Sequence, residues 1–184
     1  MNRTHGGVVL AAAVTLASVA GCSSTSLTAH ATPAPPPDAT ATVLRTVDGD
    51  TVDVRDDTRG RLRVRVLGID APESVKRGYT IGCYGPEASA NAHTQLDGRR
   101  VAIVTDPTQD STDRYGRTLA HVVRDDGYDY GTETVRAGYA KAYVLDHTPT
   151  QHAAAIDDAQ RQAQAAGTGL WGPPCHGNTD STPR

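Results

Sequence analysis

Five stretches of this chain carry apolar runs of strand length, with apolar and polar residues alternating most clearly in the second and third: Ala41 to Val47, Thr51 to Arg55, Arg61 to Ile69, Val101 to Thr105 and Thr118 to Val123. A period of two predicts half-buried strands. The segments between them carry the Asp and Gly that tight reversals use, as in Asp48-Gly49-Asp50 and Asp125-Asp126-Gly127. Three other stretches predict helices: Pro86 to Leu96 with proline in its first turn, a short one over Thr132 to Ala137, and the Ala/Gln-rich Ala153 to Ala166, closed by Gly167. Five short strands with interposed helices predict an α+β domain, a five-stranded OB-fold β-barrel with about three α-helices.

The patterning does not extend to the N-terminal region. Arg3 followed by an apolar, small-residue run from Val8 to Ala20 predicts a secretory signal over residues 1–21, too short for a comfortable membrane span. Val19-Ala20-Gly21-Cys22 resembles a bacterial lipobox, so the expectation is lipidation of Cys22, with ordinary cleavage after Ala20 as the alternative. Residues 22–41 are mostly Ser, Thr, Ala and Pro, too poor in large apolar side chains to offset the entropy of ordering. They predict a tether that holds the domain up to ~60 Å from a membrane at ~3.1 Å per residue. The domain itself is expected over residues 42–175, with 176–184 as a disordered tail, on the outer face of a bacterial cytoplasmic membrane or secreted.

Charge narrows the chemistry. The formal net charge is −3, so the global basic field usual in nucleic-acid proteins is absent and any such binding rests on local arginines. One nine-residue stretch, Arg65 to Glu73, carries a guanidinium and two carboxylates around an apolar run that Pro72 stops. Asp50 sits at a second strand end, and Asp113-Arg114-Tyr115-Gly116-Arg117 opens another strand. Hard oxygen ligands beside a forked cation suggest a metal next to a phosphate. The plainer alternative is a turn in which Asp70 bonds its own backbone and Glu73 is solvated. An EF-hand starting at Asp48 is excluded, since Asp53 and Arg59 stand where that loop needs glycine and glutamate. Zinc is excluded by the lack of His-Glu-x-x-His or paired Cys/His ligands, and His93, His121, His147, His152 and His176 receive no role. Arg59, Arg61 and Arg63 read as a solvated strand face.

Four ordered motifs, Asp48 to Thr51, Arg65 to Glu73, Tyr84 to Ser89 and Asp113 to Arg117, resemble the staphylococcal nuclease (thermonuclease) family, over about Thr42 to Trp171. The resemblance implies a Ca²⁺-dependent nuclease that hydrolyses DNA and RNA with little sequence preference and leaves 3′-phosphates. It implies Ca²⁺ held by Asp50, Asp70 and the backbone carbonyl of Ala71, phosphate held by Arg65 and Arg117, and Glu73 acting on the attacking water. Arg114 and Tyr115 match a pair that contacts a terminal phosphate, and Tyr143 a tyrosine that packs on a base. Leu145 stands where the family has a second aromatic. The rival readings are a non-catalytic nucleic-acid-binding barrel and a calcium-dependent envelope protein. The first has no need of a carboxylate cluster that repels phosphate, and the second has no use for paired phosphate arginines.

Two cysteines remain besides Cys22. In an exported chain Cys83 and Cys175 are expected to form a disulfide, with Leu170 and Trp171 pinning the C-terminus. A thiol nucleophile at Cys175 beside His176 is disfavoured, because no Asp or Asn is placed to orient that histidine. The active unit is expected to be a monomer.

Overall fold

The structure is a computed structural model that describes residues 36–184. The expected signal, the lipidation site at Cys22 and most of the tether lie outside the described residues.

Strands β1 (Ala41–Thr46), β2 (Thr51–Asp56) and β3 (Gly60–Val66) form an antiparallel meander. With β5 (Arg100–Val104) and β6 (Thr118–Arg124) they close into a barrel of order β1-β2-β3-β6-β5, in which the β3–β6 pair is parallel. Closure pairs Ala41 with Val101 across the β1–β5 seam. The inward positions are small and branched: Val43, Val52, Val54, Val64, Val66, Val101, Ala120 and Val122 are all buried. Three helices pack outside, α1 (Gly85–Leu96), α2 (Tyr130–Arg136) and α3 (Ala153–Ala166), burying Leu96, Tyr130, Val135, Ile156 and Ala159. The chain has no Phe, and Tyr130 is the largest fully buried side chain. Its hydroxyl donates to the carbonyl of Gly49 at 2.7 Å, which ties α2 to the β1–β2 turn. The expected five-stranded barrel with three helices is therefore the observed architecture.

The structure departs from the sequence expectations in three places. The strand expected to run to Ile69 breaks after Val66, because Gly68 adopts a φ of +79° and turns the chain. Leu67 and Ile69 are buried together with Val64 and Val66. Beyond the break lies a separate two-residue strand, β4 (Ile69–Asp70), paired with β7 (Lys141–Ala142) in a small second sheet. Helix α2 begins at Tyr130 because Asp129 caps it, its side chain accepting from the Thr132 amide at 3.2 Å.

The third departure is at the C-terminus. Residues 176–184, expected to be a disordered tail, run along the loop before Cys83. The Thr80 amide donates to Thr182 O and the Arg184 amide to Gly78 O, both at 2.8 Å, and Tyr79 bridges Pro183. The cause is the Cys83–Cys175 disulfide, whose Cα atoms are 5.7 Å apart and which delivers the start of the tail to this loop. Leu170 is fully buried, so the C-terminus is pinned as expected.

Candidate active site

The β1–β2 turn is built by its own side chains. Asp48 accepts from the Asp50 amide at 3.0 Å, and the Val47 amide donates to Thr51 O at 2.8 Å. Gly49 is required by a close approach, since a Cβ there would stand 2.5 Å from the Cβ of Ala71. That approach lets the Ala71 amide donate to Asp50 Oδ2 at 3.0 Å, which joins the turn to the segment after β4.

Arg65 is the centre of the cluster. One terminal nitrogen donates to the carbonyls of Val66 at 2.8 Å and Ile69 at 2.9 Å. The other reaches Asp50 Oδ2 at 3.2 Å and Asp70 Oδ1 at 3.3 Å. The break after β3 makes this possible, because the chain curls around the guanidinium and presents two carbonyls to it. The surrounding acids are strained electrostatically. Burial, then the charge of Asp50, pushes the Asp48 carboxyl up to about 6. Burial and Asp50 also raise Asp70, which keeps a solvent-facing edge; Arg65 and Lys141 oppose that shift and Glu73 adds to it.

Asp113 organises the second arginine. It accepts from the amides of Tyr115 and Arg117, each at 2.9 Å, and from Arg117 Nε at 2.6 Å. Burial alone would raise this carboxyl, but those bonds hold it below the usual carboxylate range. Gly116, at a φ of +77°, supplies the turn between them. Arg114 donates to the Tyr115 hydroxyl at 2.7 Å and lies 4.8 Å from that ring, leaving the ring 69% exposed.

A cleft of about 710 Å³ gathers most of the expected residues: Arg65, Asp70, Arg114, Tyr115, Arg117 and Tyr143 line it, with Leu145 beside them. Asp50 joins this set through Arg65. Glu73 does not line the cleft. Its Oε1 caps the next turn, accepting from the amides of Val75 at 2.8 Å and Lys76 at 2.7 Å, while its carbonyl accepts from Gly82 at 2.8 Å. Ala71 meets Asp50 through its amide.

Among the described residues no three His, Cys, Asp or Glu side chains converge as a metal cluster. The donor set nevertheless fits a hard cation. Asp50 and Asp70 flank one point, now spanned by a guanidinium, and burial together with their mutual repulsion raises Asp70. Two features lay outside the sequence expectations. Asp113 is an organiser, for which Asp113 to Arg117 spacing across a tight turn was the available signal. The other is a stack of buried His121 on half-buried His152, ring centroids 3.8 Å apart, with His152 Nδ1 2.8 Å from Asp129; no sequence pattern announces it.

The arrangement is matched elsewhere. A family model described as "Staphylococcal nuclease homologue" covers residues 63–173. The thermonuclease of Staphylococcus intermedius is 33% identical over 129 residues, 70% of this chain and 74% of the relative. That of Staphylococcus hyicus is 33% identical over 130 residues, 70% of this chain and 73% of the relative. An uncharacterized endonuclease of Escherichia coli is 33% identical over 129 residues, 70% of this chain and 74% of the relative. Barrel, motif order and these alignments agree: the chain belongs to the staphylococcal nuclease family.

Proposed function

We propose that this protein is a Ca²⁺-dependent nuclease that hydrolyses phosphodiester bonds of DNA and RNA with little sequence preference and leaves 3′-phosphates. The observation that carries this reading is the convergence of Arg65, Asp50 and Asp70 at one wall of a cleft that Arg117 and two exposed tyrosines complete.

A phosphodiester repels nucleophiles, and its five-coordinate transition state gathers more negative charge, so charge stabilisation is the main catalytic task. Ca²⁺ held by Asp50 and Asp70 would polarise a phosphate oxygen and lower the barrier to attack by water. Arg65 is positioned at the cleft wall, because the carbonyls of Val66 and Ile69 fix one side of its fork; the other side, which rests on Asp50 and Asp70, would turn to phosphate when a cation takes those carboxylates. Arg117 is held likewise at Nε by Asp113, which leaves its terminal nitrogens for phosphate. Glu73 accepts the proton of the attacking water or holds that water in line, after its carboxylate leaves the Val75 and Lys76 amides. Tyr115 and Tyr143 offer faces on which any base stacks, and contacts to phosphate carry no sequence information. Leu145 in place of a second aromatic reduces the stacking surface.

We further propose export and anchoring through Cys22, with the protein acting as a monomer. The disulfide supports an oxidising compartment. The capped position of Glu73 favours one alternative, a non-catalytic nucleic-acid-binding barrel. Purified protein incubated with plasmid DNA and with RNA, in Ca²⁺, Mg²⁺ or chelator, separates the two. Ca²⁺-dependent degradation with 3′-phosphate ends is expected, and binding without degradation of either polymer would support the barrel alone.

A further inference from the structure

The outer wall of β2 and β3 carries a concentration of positive charge that the site does not use. Alternation turns Val52, Val54, Val64 and Val66 inward and Arg55, Arg61, Arg63 and Arg65 outward. Register then sets Arg63 opposite Asp53, and Arg61 directly opposite Arg55. Arg63 and Arg45 share the single carboxylate of Asp53, at 2.7 and 2.9 Å, so that column keeps an excess positive charge. Arg55 and Arg61 have no carboxylate partner among the described residues, and residues 1–35 contain no Asp or Glu that could supply one. Two acids that line a common pocket with them are engaged elsewhere, Asp56 with Arg59 at 2.7 Å and Asp57 with Arg100 at 2.6 Å.

Like charges directly opposite on paired strands destabilise a sheet. Here they accumulate in a chain whose net charge is −3. A shallow groove of about 350 Å³, lined by Arg61, Arg63, Tyr115 and Arg117, runs beside them. Tyr115 and Arg117 also line the cleft, so groove and cleft share a wall.

We propose that this face is a second binding surface, a track for the backbone of a single-stranded nucleic acid that leads from the cleft past Tyr115 along Arg63, Arg61 and Arg55. A cationic groove joined to an exposed aromatic platform is the arrangement that takes single strands without sequence preference. The wall formed by the second and third strands is also where OB barrels receive oligonucleotides. Arg61, Arg63 and Arg65 recur every ~6.6 Å along the strand, a spacing an extended backbone can follow. The proposal replaces the expectation of a solvated face for Arg61 and Arg63 and adds Arg55, while Arg59 is paired with Asp56. The track rests on the nuclease reading and adds to it a preference for long single strands over short ones.

The test is the Arg55→Gln/Arg61→Gln variant of the full chain, neither residue belonging to the catalytic machinery. Binding of a fluorescent single-stranded 20-mer in chelator should weaken about 10-fold near 0.1 M salt, and the slope of log affinity against log salt should shrink by about 1.4, ~0.7 per lost phosphate contact. Turnover of a dinucleotide in Ca²⁺ should stay within about twofold, and Arg55→Lys/Arg61→Lys should restore the slope, since a backbone track needs charge more than a fork. Unchanged 20-mer affinity and slope would overturn the track. So would a variant that keeps oligonucleotide affinity but no longer sediments with phosphatidylglycerol vesicles, which would assign the face to a membrane. A wild-type protein that neither binds nor cleaves nucleic acid would overturn the nuclease reading first, and the track with it.

Discussion

The two halves of the site are held in different ways. Arg65 stands on barrel strand β3 and Asp50 in the β1–β2 turn just before β2, and each is fixed by several bonds to neighbouring backbone or to each other. Glu73 stands on the loop that leads to α1, and its position depends on what restrains that loop. The Gly82 amide grips its carbonyl, Cys83 is tied to Cys175, and the C-terminal residues run along Gly78 to Thr80. Gly82 and Gly85 both pack against the Glu73 backbone, where a Cβ would stand 3.1 Å from its nitrogen and 2.6 Å from its carbonyl oxygen respectively. The difference suggests a division of labour. On the proposed mechanism the barrel would preset charge, which must not reorganise during the reaction, and the loop would carry the group that moves to meet water.

The largest expected effects come from breaking the chemistry itself. Arg65→Lys, Arg117→Lys and Glu73→Gln should each lower kcat by at least about 100-fold, the two arginine changes by loss of the paired N–H geometry. Thermal melts should show Arg117→Lys and Glu73→Gln near wild type. Arg65→Lys should melt several degrees lower, because the Val66 and Ile69 carbonyls lose their donor.

Removing the disulfide sharpens the comparison. Cys83→Ala/Cys175→Ala opens a link between residues 92 apart, and chemical denaturation should show a loss of up to ~4 kcal/mol. At a temperature where the variant stays folded, kcat should fall while Ca²⁺ affinity by calorimetry changes little, since Glu73 depends on the loop and Asp50 and Asp70 do not. Equal losses in both would mean the two halves are not independent. Gly49→Ala is the converse, pushing Ala71 off Asp50 on the barrel side. It should cost about 1–3 kcal/mol and weaken Ca²⁺ binding.

The smallest expected effect lies away from both halves. Asp106 is buried, which alone would raise its carboxyl, yet the Thr108 hydroxyl and the amides of Gln151 and Thr108 bring it down to about 2. A carboxyl lowered on folding contributes stability that is present above its unfolded value near 3.8 and is lost as pH falls through about 2. Asp106→Asn should therefore remove ~2 kcal/mol at pH 7 and flatten the acid limb of stability between about pH 4 and 2, leaving turnover at neutral pH little changed.

How much of the molecule was legible in the sequence depends on the range of the interactions. The barrel was readable because valines alternate with Arg, Asp and Thr along β2 and β3 and the other strands are short apolar runs between turn residues, and the approach of Arg65 to Asp70 because five residues and one turn separate them. The break after Val66 was not, since Leu67 and Ile69 continue an apolar run and only the left-handed backbone of Gly68 turns them inward. Pairing of the tail with Thr80 depends on a disulfide that brings distant residues together. The excess charge at Arg55 and Arg61 depends on strand register, because an arginine stripe on one strand does not reveal what stands opposite. The retracted carboxylate of Glu73 is set by two amides of its own loop, a local choice that the composition of Asp70-Ala-Pro-Glu73 leaves open.

The most direct test of the central claim is turnover of one single-stranded oligonucleotide measured against free Ca²⁺, for the wild-type protein and for Asp50→Asn. Asp50 is the carboxylate that links Arg65, Ala71 and the β1–β2 turn. The account predicts no cleavage in chelator, saturable activation of the wild type by Ca²⁺, and little or no activation of a folded Asp50→Asn protein. Cleavage that proceeds equally in chelator, or an Asp50→Asn protein activated at the same Ca²⁺ concentration as wild type, would contradict it.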